Sequence, residues 1–184
     1  MRKIIVSNLV TVDGYFAGSN GEIDWHLVDK EFNEYAAEML NSVDTLLFGK
    51  TTYDLMAGFW PTKNAIAEPS VIAEAMNSLP KIVFSKTLSH ADWNNTKVIK
   101  EIDPEEIKKM KQQPGKDMVI LGSGTIVDQF TNLGLIDEYR LIVNPVILGK
   151  GKPLFKDIDH KIKLKLLKTK TFSSGNVLLY YQPI

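Results

Sequence analysis

Two segments of this chain share one layout, and together they indicate its fold. They are Leu46-Leu47-Phe48-Gly49-Lys50-Thr51-Thr52-Tyr53 and Met118-Val119-Ile120-Leu121-Gly122-Ser123-Gly124-Thr125. In each, an apolar strand runs into a glycine, which is followed by hydroxyl residues and an amphipathic segment. Such a glycine lets the backbone approach a ligand closely, and the first turn of the next helix presents unpaired N–H groups and a partial positive charge. Two junctions of this kind predict a site for the two phosphates of a dinucleotide.

Lysines accompany the hydroxyl residues at two predicted strand ends. Lys50 directly follows Gly49, and Ser85 and Lys86 follow the apolar strand 81–84. Taken alone, Lys50 is typical of a solvated surface cation. Its position beside the glycine favours pairing with an extra phosphate, such as the one on the adenine-side ribose of NADP. Ligands of open α/β sheets bind at the carboxyl ends of the strands, which is where these residues lie. Together with the two glycine junctions, they favour an NADPH-dependent reductase.

Outward from these segments, strands and helices are predicted to alternate. Predicted strands comprise residues 4–12, 43–48, 81–84, 96–100, 118–121, 139–143, 163–171 and 177–182, and predicted helices comprise 29–40, 51–57, 71–78, 104–113 and 125–133. Alternating strands and helices indicate parallel crossovers, whereas the last strands have no helix between them. We therefore predict an α/β fold in one domain over residues 1–184. Its mixed, mainly parallel sheet carries helices on both faces and an antiparallel C-terminal hairpin.

The composition limits the kinds of partner. The 184 residues include 22 basic and 22 acidic side chains, so no global field favours nucleic acid or an anionic membrane. The absence of cysteine excludes disulfides and thiolate metal sites. The short apolar run near the N-terminus is typical neither of a signal peptide nor of a membrane span. These features predict a cytoplasmic protein with a small-molecule substrate.

Several common site patterns are missing. Val127 stands where G-x-G-x-x-G requires its third glycine, which disfavours a Rossmann fold. Ser123 lies outside a G-x-S-x-G elbow, so it is not predicted to be a nucleophile. The three histidines, His26, His90 and His160, have no ligand at metal-site spacing, and we predict no metal.

One basic cluster stands out near the C-terminus. It comprises Lys161, Lys163, Lys165, Lys168 and Lys170, which mostly alternate with apolar residues. This pattern favours the solvated face of a half-buried strand over a nucleic-acid site. Lysine on such a strand also discourages pairing with other sheets.

Six segments along the chain match the motifs of one known family. They are Val12-Asp13-Gly14-Tyr15-Phe16-Ala17-Gly18 with Trp25, Leu47-Phe48-Gly49-Lys50-Thr51-Thr52-Tyr53, Val83-Phe84-Ser85-Lys86-Thr87-Leu88, Leu121-Gly122-Ser123-Gly124, Leu135-Ile136-Asp137-Glu138-Tyr139 and Asn144-Pro145-Val146-Ile147-Leu148-Gly149-Lys150-Gly151-Lys152-Pro153-Leu154-Phe155. Together they resemble the dihydrofolate reductase superfamily. The resemblance is greater to the branch that contains the reductase domain of bacterial riboflavin biosynthesis and its stand-alone relatives.

The resemblance implies NADPH bound across the strand ends of an eight- or nine-stranded sheet, direct hydride transfer to a small heterocyclic or sugar-linked substrate, and a homodimer. In function, the chain is expected to resemble in particular the 5-amino-6-(5-phosphoribosylamino)uracil reductase of riboflavin biosynthesis. By the family pattern, the nicotinamide lies against Leu9, Phe16 and Ala17. The pyrophosphate lies against Gly49, Thr51, Thr52, Leu121, Gly122, Ser123, Gly124 and Thr125. The ribose phosphate and adenine lie against Lys50, Ser85 and Lys86.

The substrate pocket is expected to include Asp13, Trp25, Asp29 and Tyr53. Asp13 and Asp29 are the candidate catalytic residues, with Asp29 as proton source, and Trp25 and Tyr53 are the candidate substrate contacts. Dihydrofolate reductases carry an acid that supports the pterin, and the corresponding position in this chain is Lys30, one residue from Asp29. Because one residue turns a helix by about 100°, folate reduction is disfavoured. Two alternatives remain open: a non-catalytic nucleotide-binding regulatory dimer, and a reductase that uses FMN.

Overall fold

The computed structural model describes residues 1–184 and contains ten strands and five α-helices. The strands are β1 (Ile4–Thr11), β2 (Tyr15–Ala17), β3 (Val43–Gly49), β4 (Lys81–Phe84), β5 (Thr96–Ile99), β6 (Asp117–Leu121), β7 (Glu138–Asn144), β8 (Lys152–Pro153), β9 (Leu164–Thr171) and β10 (Val177–Pro183). The helices are α1 (Lys30–Ser42), α2 (Lys50–Ala57), α3 (Ser70–Ser78), α4 (Pro104–Gln112) and α5 (Gly124–Asn132), with a 3-10 helix at Lys63–Ala67.

Eight of the strands form one sheet in the order β5-β4-β3-β6-β1-β7-β10-β9. The first six of these strands are all parallel, as in the pairing of Ile5 with Val119 on one side and Glu138 on the other. Strand β10 runs antiparallel to both β7 and β9. This topology confirms the predicted mixed, mainly parallel sheet with an antiparallel C-terminal hairpin.

Apolar side chains cover both faces of the sheet. Successive residues of β1 point to opposite sides, so Ile5 joins a core with α1, α2 and α3, while Ile4 and Val6 join a second core with α4 and α5. All three of these β1 residues are fully buried. The prediction of helices on both faces is therefore confirmed.

Helix starts follow the capping residues of the sequence. The Asp103 carboxylate accepts a hydrogen bond from the Glu105 amide at 2.9 Å, and Pro104 occupies the first helical position. Asp29 is likewise the N-cap of α1, where its carboxylate accepts from the Phe32 amide at 2.7 Å. The first turn of α1 is thus anchored by Asp29, which the sequence analysis had assigned to catalysis.

The structure corrects one prediction about the C-terminal basic strand. All eight residues of β9 are exposed, including Leu164, Leu166 and Leu167, so the strand is not half-buried. The reason is its place at the edge of the sheet, where no helix packs against it. The lysines are solvated as predicted, and the ammonium groups of Lys168 and Lys170 lie over the Tyr180 and Phe172 rings.

A second, two-stranded sheet was not predicted. Strand β2 pairs antiparallel with β8, so the segment after β1 contacts the segment before residue 154.

None of the helices is both long and apolar enough to cross a bilayer.

Candidate functional site

The two glycine turns lie side by side at one edge of the sheet. Strands β3 and β6 are parallel neighbours, so their carboxyl ends meet. The Gly49 N–H donates to Ser123 Oγ at 2.9 Å, and the Ser123 N–H donates to Thr52 Oγ1 at 3.0 Å. These two hydrogen bonds join the turn after β3 directly to the turn after β6. Helices α2 and α5 begin there, and the N–H groups of a first helical turn have no partner within the helix.

The turn after β6 has an unusual backbone. Gly122 and Ser123 both adopt left-handed conformations, with φ of 59° and 62°. Such a conformation costs a non-glycine residue about 1–2 kcal/mol, and strain of this kind clusters at functional sites. Asn8 stabilises the turn, because its Oδ1 accepts from the Gly122 N–H at 2.6 Å and its Nδ2 donates to the Gly122 carbonyl at 3.1 Å. Sequence reasoning missed Asn8, although an amide inside a largely apolar strand was the available signal.

A cavity of about 1830 Å³ opens at this edge of the sheet. It exceeds the roughly 300–1,000 Å³ typical of a site for one small ligand, so it has room for a dinucleotide together with a substrate. All fourteen residues that the sequence analysis assigned to the cofactor line it. They are Leu9, Phe16, Ala17, Gly49, Lys50, Thr51, Thr52, Ser85, Lys86, Leu121, Gly122, Ser123, Gly124 and Thr125.

At one end of the cavity, Phe16 packs against the start of α5. A Cβ atom added to Gly124 would lie 2.9 Å from Phe16 Cε1, closer than van der Waals contact allows. Gly124 therefore lets the aromatic ring lie directly on the helix terminus. This packing joins the residues predicted for the nicotinamide to those predicted for the pyrophosphate.

The other end of the cavity carries three lysines, Lys50, Lys86 and Lys100. Lys100 follows β5 and was missed by the sequence analysis, because no glycine or hydroxyl residue marks the end of that strand. Its place beside β4 becomes evident only from the strand order. This end of the cavity thus has the cations that an additional phosphate requires.

The two candidate catalytic carboxylates do not line the cavity. Asp13 accepts hydrogen bonds from Thr11 Oγ1 at 2.6 Å and from the Gly149 amide at 2.7 Å. The Thr11 hydroxyl lowers the pKa of Asp13, and the Phe32 amide lowers the pKa of Asp29. A carboxyl with a lowered pKa is ionised at neutral pH and is a poor proton donor. Both carboxylates thus bind backbone amides outside the cavity lining, and a catalytic role for Asp13 or Asp29 stays a prediction.

The two candidate substrate contacts also lie away from the cavity lining. Tyr53 is only 4% exposed, packs against Trp93, and accepts a hydrogen bond from the Trp93 amide at 3.1 Å. It points into the core because it lies on the face of α2 that packs on the sheet. Trp25 packs edge-on against His26 with ring centroids 4.4 Å apart. Neither aromatic residue lines the cavity, and their contact with a substrate stays a prediction.

His26, not Trp25, reaches the cavity wall from this loop. Burial lowers the pKa of His26 to about 4, so its imidazole is neutral at pH 7. Its Nε2 atom is buried and has no hydrogen-bond partner. The next residue is fixed from both sides: the Leu27 N–H donates to Asn144 Oδ1 at 2.9 Å, and its carbonyl accepts from Asn176 Nδ2 at 2.8 Å. Sequence reasoning set His26 aside because it tested the histidines only as metal ligands.

Helix α1 contributes no carboxylate to the cavity. Its lining residues include Phe32, Asn33 and Ala36, which are uncharged. Asn33 is a polar residue of α1 at this wall, and an amide neither donates a proton to a substrate nor carries a charge. The α1 wall of the cavity is therefore uncharged.

Comparison with known proteins adds a family and a fold. The family model described as the RibD C-terminal domain matches residues 2–178. The uncharacterized protein YyaP of Bacillus subtilis (strain 168) is 39% identical over 180 residues, which cover 98% of this chain and 94% of YyaP.

Solved structures share the architecture. A putative riboflavin biosynthesis protein from Shewanella sp. PV-4 has a TM-score of 0.77 at 22% identity, with 99% of each chain covered. The diaminohydroxyphosphoribosylaminopyrimidine deaminase/5-amino-6-(5-phosphoribosylamino)uracil reductase of Thermotoga maritima has a TM-score of 0.70 at 17% identity, with 100% of this chain and 57% of the other covered. Dihydrofolate reductase from Enterococcus faecalis, complexed with NADP(H), has a TM-score of 0.65 at 16% identity, with 98% and 96% covered.

At these identities the solved structures establish the fold, and the family model establishes the membership. The paired glycine turns and strands β1 to β9 lie within the region that the family model matches. The chain belongs to the RibD C-terminal domain family and has the fold of the riboflavin-pathway reductases and of dihydrofolate reductase.

Proposed function

We propose that this protein is a reductase that binds NADPH and transfers hydride to a small heterocyclic or sugar-linked substrate. The observation that carries the proposal is the hydrogen-bonded pair of turns at Gly49 and Gly122–Gly124, which opens into one large cavity. Two adjacent helix N-termini suit two linked phosphates, because each offers N–H donors and a partial positive charge.

The chain's own residues would bind and orient the two reactants. The turns at Gly49 and Gly122 would hold the pyrophosphate, and Leu9 and Phe16 would form an apolar seat for the nicotinamide. NADPH supplies the hydride when it is bound, so the chemistry needs no protein nucleophile. The task of the site is to align donor and acceptor carbons and to exclude water.

Two polar residues that line the cavity support a choice of substrate class. Asn33 and neutral His26 offer hydrogen bonds without charge, and the α1 wall has no acid to support a pterin. The Thermotoga relative is named as a 5-amino-6-(5-phosphoribosylamino)uracil reductase. We therefore favour a uracil-like ring over folate as the acceptor. Cytoplasmic location and a homodimer remain predictions, the latter to be tested by sedimentation velocity.

One observation favours the second candidate, a regulatory protein that binds NADPH without turnover. Both candidate carboxylates, Asp13 and Asp29, are bound to backbone amides away from the cavity. A protein of this kind would bind the cofactor tightly but would leave it unoxidised with every substrate.

The test is a thermal-shift panel of NADPH, NADH, FMN and dihydrofolate, followed by NADPH oxidation with pyrimidine and pterin acceptors. A ligand that binds only the native state raises the melting temperature by mass action. We expect NADPH to give the largest shift and a pyrimidine to be reduced. NADPH binding without oxidation would favour the regulatory protein. A shift with FMN alone would favour the flavin reductase, and no shift at all would contradict every one of these functions.

A further inference from the structure

Three neighbouring strands end in the same kind of residue. Strands β5, β4 and β3 are adjacent and parallel, and Lys100, Lys86 and Lys50 follow their carboxyl ends. Adjacent strands lie about 4.8 Å apart, so these lysines form a row along one end of the cavity. All three line that cavity. We call them the lysine row.

Each member of the lysine row already has a partner within the protein. Lys50 Nζ lies 2.5 Å from Asp54 Oδ2, and Lys86 Nζ lies 3.7 Å from Glu101 Oε1. Lys100 Nζ donates to the Leu88 carbonyl. Glu101 itself lines the cavity, whereas Asp54 does not. One carboxylate therefore lies among the cations that line this end of the cavity.

A turn at residues 85–88 packs beside Glu101 at the end of β5. Ser85 Oγ accepts from the Thr87 and Leu88 amides at 3.3 and 3.0 Å, which folds residues 85–88 into a tight turn. The Lys86–Glu101 pair and the Lys100–Leu88 hydrogen bond both join this turn to the end of β5. Glu101 thus lies beside Lys86, with its side chain 77% exposed.

We propose that Glu101 is a specificity-determining residue that weakens the preference of this site for NADPH over NADH. The inference rests on the proposed function. A carboxylate next to Lys86 neutralises part of the charge that a ribose 2′-phosphate would meet, and it repels that phosphate. An acid in the same setting accepts a hydrogen bond from the free 2′-hydroxyl of NADH. Glu101 thus acts in opposite directions on the two cofactors.

The substitution Glu101→Gln separates these effects, because glutamine keeps the shape and removes the charge. We expect the ratio of the NADH dissociation constant to the NADPH dissociation constant to rise about five-fold, the scale of one exposed ion pair. The rise should shrink at high salt, since exposed charges are screened. The opposite change is expected for Lys86→Met, which removes a cation.

The experiment is a calorimetric titration of the wild type and Glu101→Gln with NADPH and with NADH, at low and at high salt. Glu105→Gln is the matched control, because Glu105 is similarly exposed and pairs with Lys108 at 2.8 Å on α4, away from the cavity. An unchanged ratio in Glu101→Gln, in a wild type that binds NADPH, overturns the inference and leaves the proposed function intact. A wild type that binds neither cofactor overturns both.

Discussion

Lys81 is the most deeply buried cation of the molecule, at 1% exposure. Its ammonium donates to the carbonyls of Asn77, Leu79 and Asn94 at 3.1, 2.8 and 3.1 Å and lies 4.4 Å from the centre of the Trp93 ring. It has no carboxylate partner. Burial lowers the pKa of Lys81 from 10.5 to about 8.

This lowered pKa predicts a dependence of stability on pH. Between about pH 8 and 10.5 the unfolded chain keeps the Lys81 proton that the folded protein loses. The contribution of Lys81 to the free energy of unfolding therefore rises with pH across this window. Urea denaturation of the wild type and Lys81→Met checks this, with Lys97→Met, an exposed lysine of β5, as the control. The wild type should gain stability relative to Lys81→Met as pH rises. A difference that is flat or falls would contradict the assignment.

Gly124 provides a test of the cofactor site at the scale of one atom. Gly124→Ala would place a methyl group against the Phe16 ring, at 2.9 Å before any relaxation. Because this packing shapes the end of the cavity proposed for the nicotinamide, we expect NADPH to bind about ten-fold more weakly, a loss of about 1.4 kcal/mol. Isothermal titration measures it, with Gly58→Ala at the far end of α2 as the control. Equal affinity in Gly124→Ala and wild type would argue against cofactor binding at this turn.

Whether a residue's position in the cavity wall could be read from the sequence depended on the element that carries it. Gly49 and Gly122 lie at strand ends, and the ends of parallel strands meet at one edge whatever the details of packing. Tyr53 lies within α2, so the direction of its side chain depends on rotation about the helix axis. Asp29 is the N-cap of α1, so its carboxylate is directed by the capping hydrogen bond. His26 and Lys100 reach the cavity through contacts between distant segments, which no local pattern encodes.

At the scale of elements, the N-terminus of α1 distinguishes an anchoring role for Asp29 from a catalytic one. Asparagine caps a helix about as well as aspartate, whereas alanine does not. We therefore expect Asp29→Asn to keep both the melting temperature and the reductase rate, and Asp29→Ala to lower the melting temperature by about 2–4 °C. Thermal denaturation and NADPH oxidation check both variants. Loss of turnover in Asp29→Asn without loss of stability would restore Asp29 as the proton source.

The N-cap of α1 also gives an expected dependence of stability on acidic pH. The pKa of Asp29 is lowered in the folded protein, so its contribution to stability is present above the unfolded pKa and is lost as pH falls through the folded pKa. The melting-temperature difference between wild type and Asp29→Ala should therefore be larger at pH 7 than at strongly acidic pH.

The elements themselves were largely predictable because their periodicity is strong. Strand β4 has the predicted bounds, and α4 begins at the predicted cap. Strands β2 and β8 were missed because three and two residues are too few to show a period. The exposure of β9 was misjudged because alternation identifies a strand without saying whether a second layer covers it.

At the scale of the whole molecule, the charge balance and the strand order determine where an anion can be attracted. The 22 basic and 22 acidic side chains cancel, so any attraction for an anion must be local. The strand order supplies this locality, because it brings β3 and β6 together and lines up the lysine row at the ends of β3, β4 and β5. The alternation of strands and helices made the mainly parallel sheet predictable in outline. The strand order was needed to bring Lys100 into the site.

The central claim is that the turns of β3 and β6 together hold a pyrophosphate. Its most direct test is an amide NMR titration of the protein with NADP⁺, assigned residue by residue. We predict that the largest shifts fall on the amides of Lys50, Thr51 and Thr52 and on those of Ser123, Gly124 and Thr125, and that both groups saturate together. Shifts confined to one turn, or centred elsewhere on the molecule, would contradict the claim.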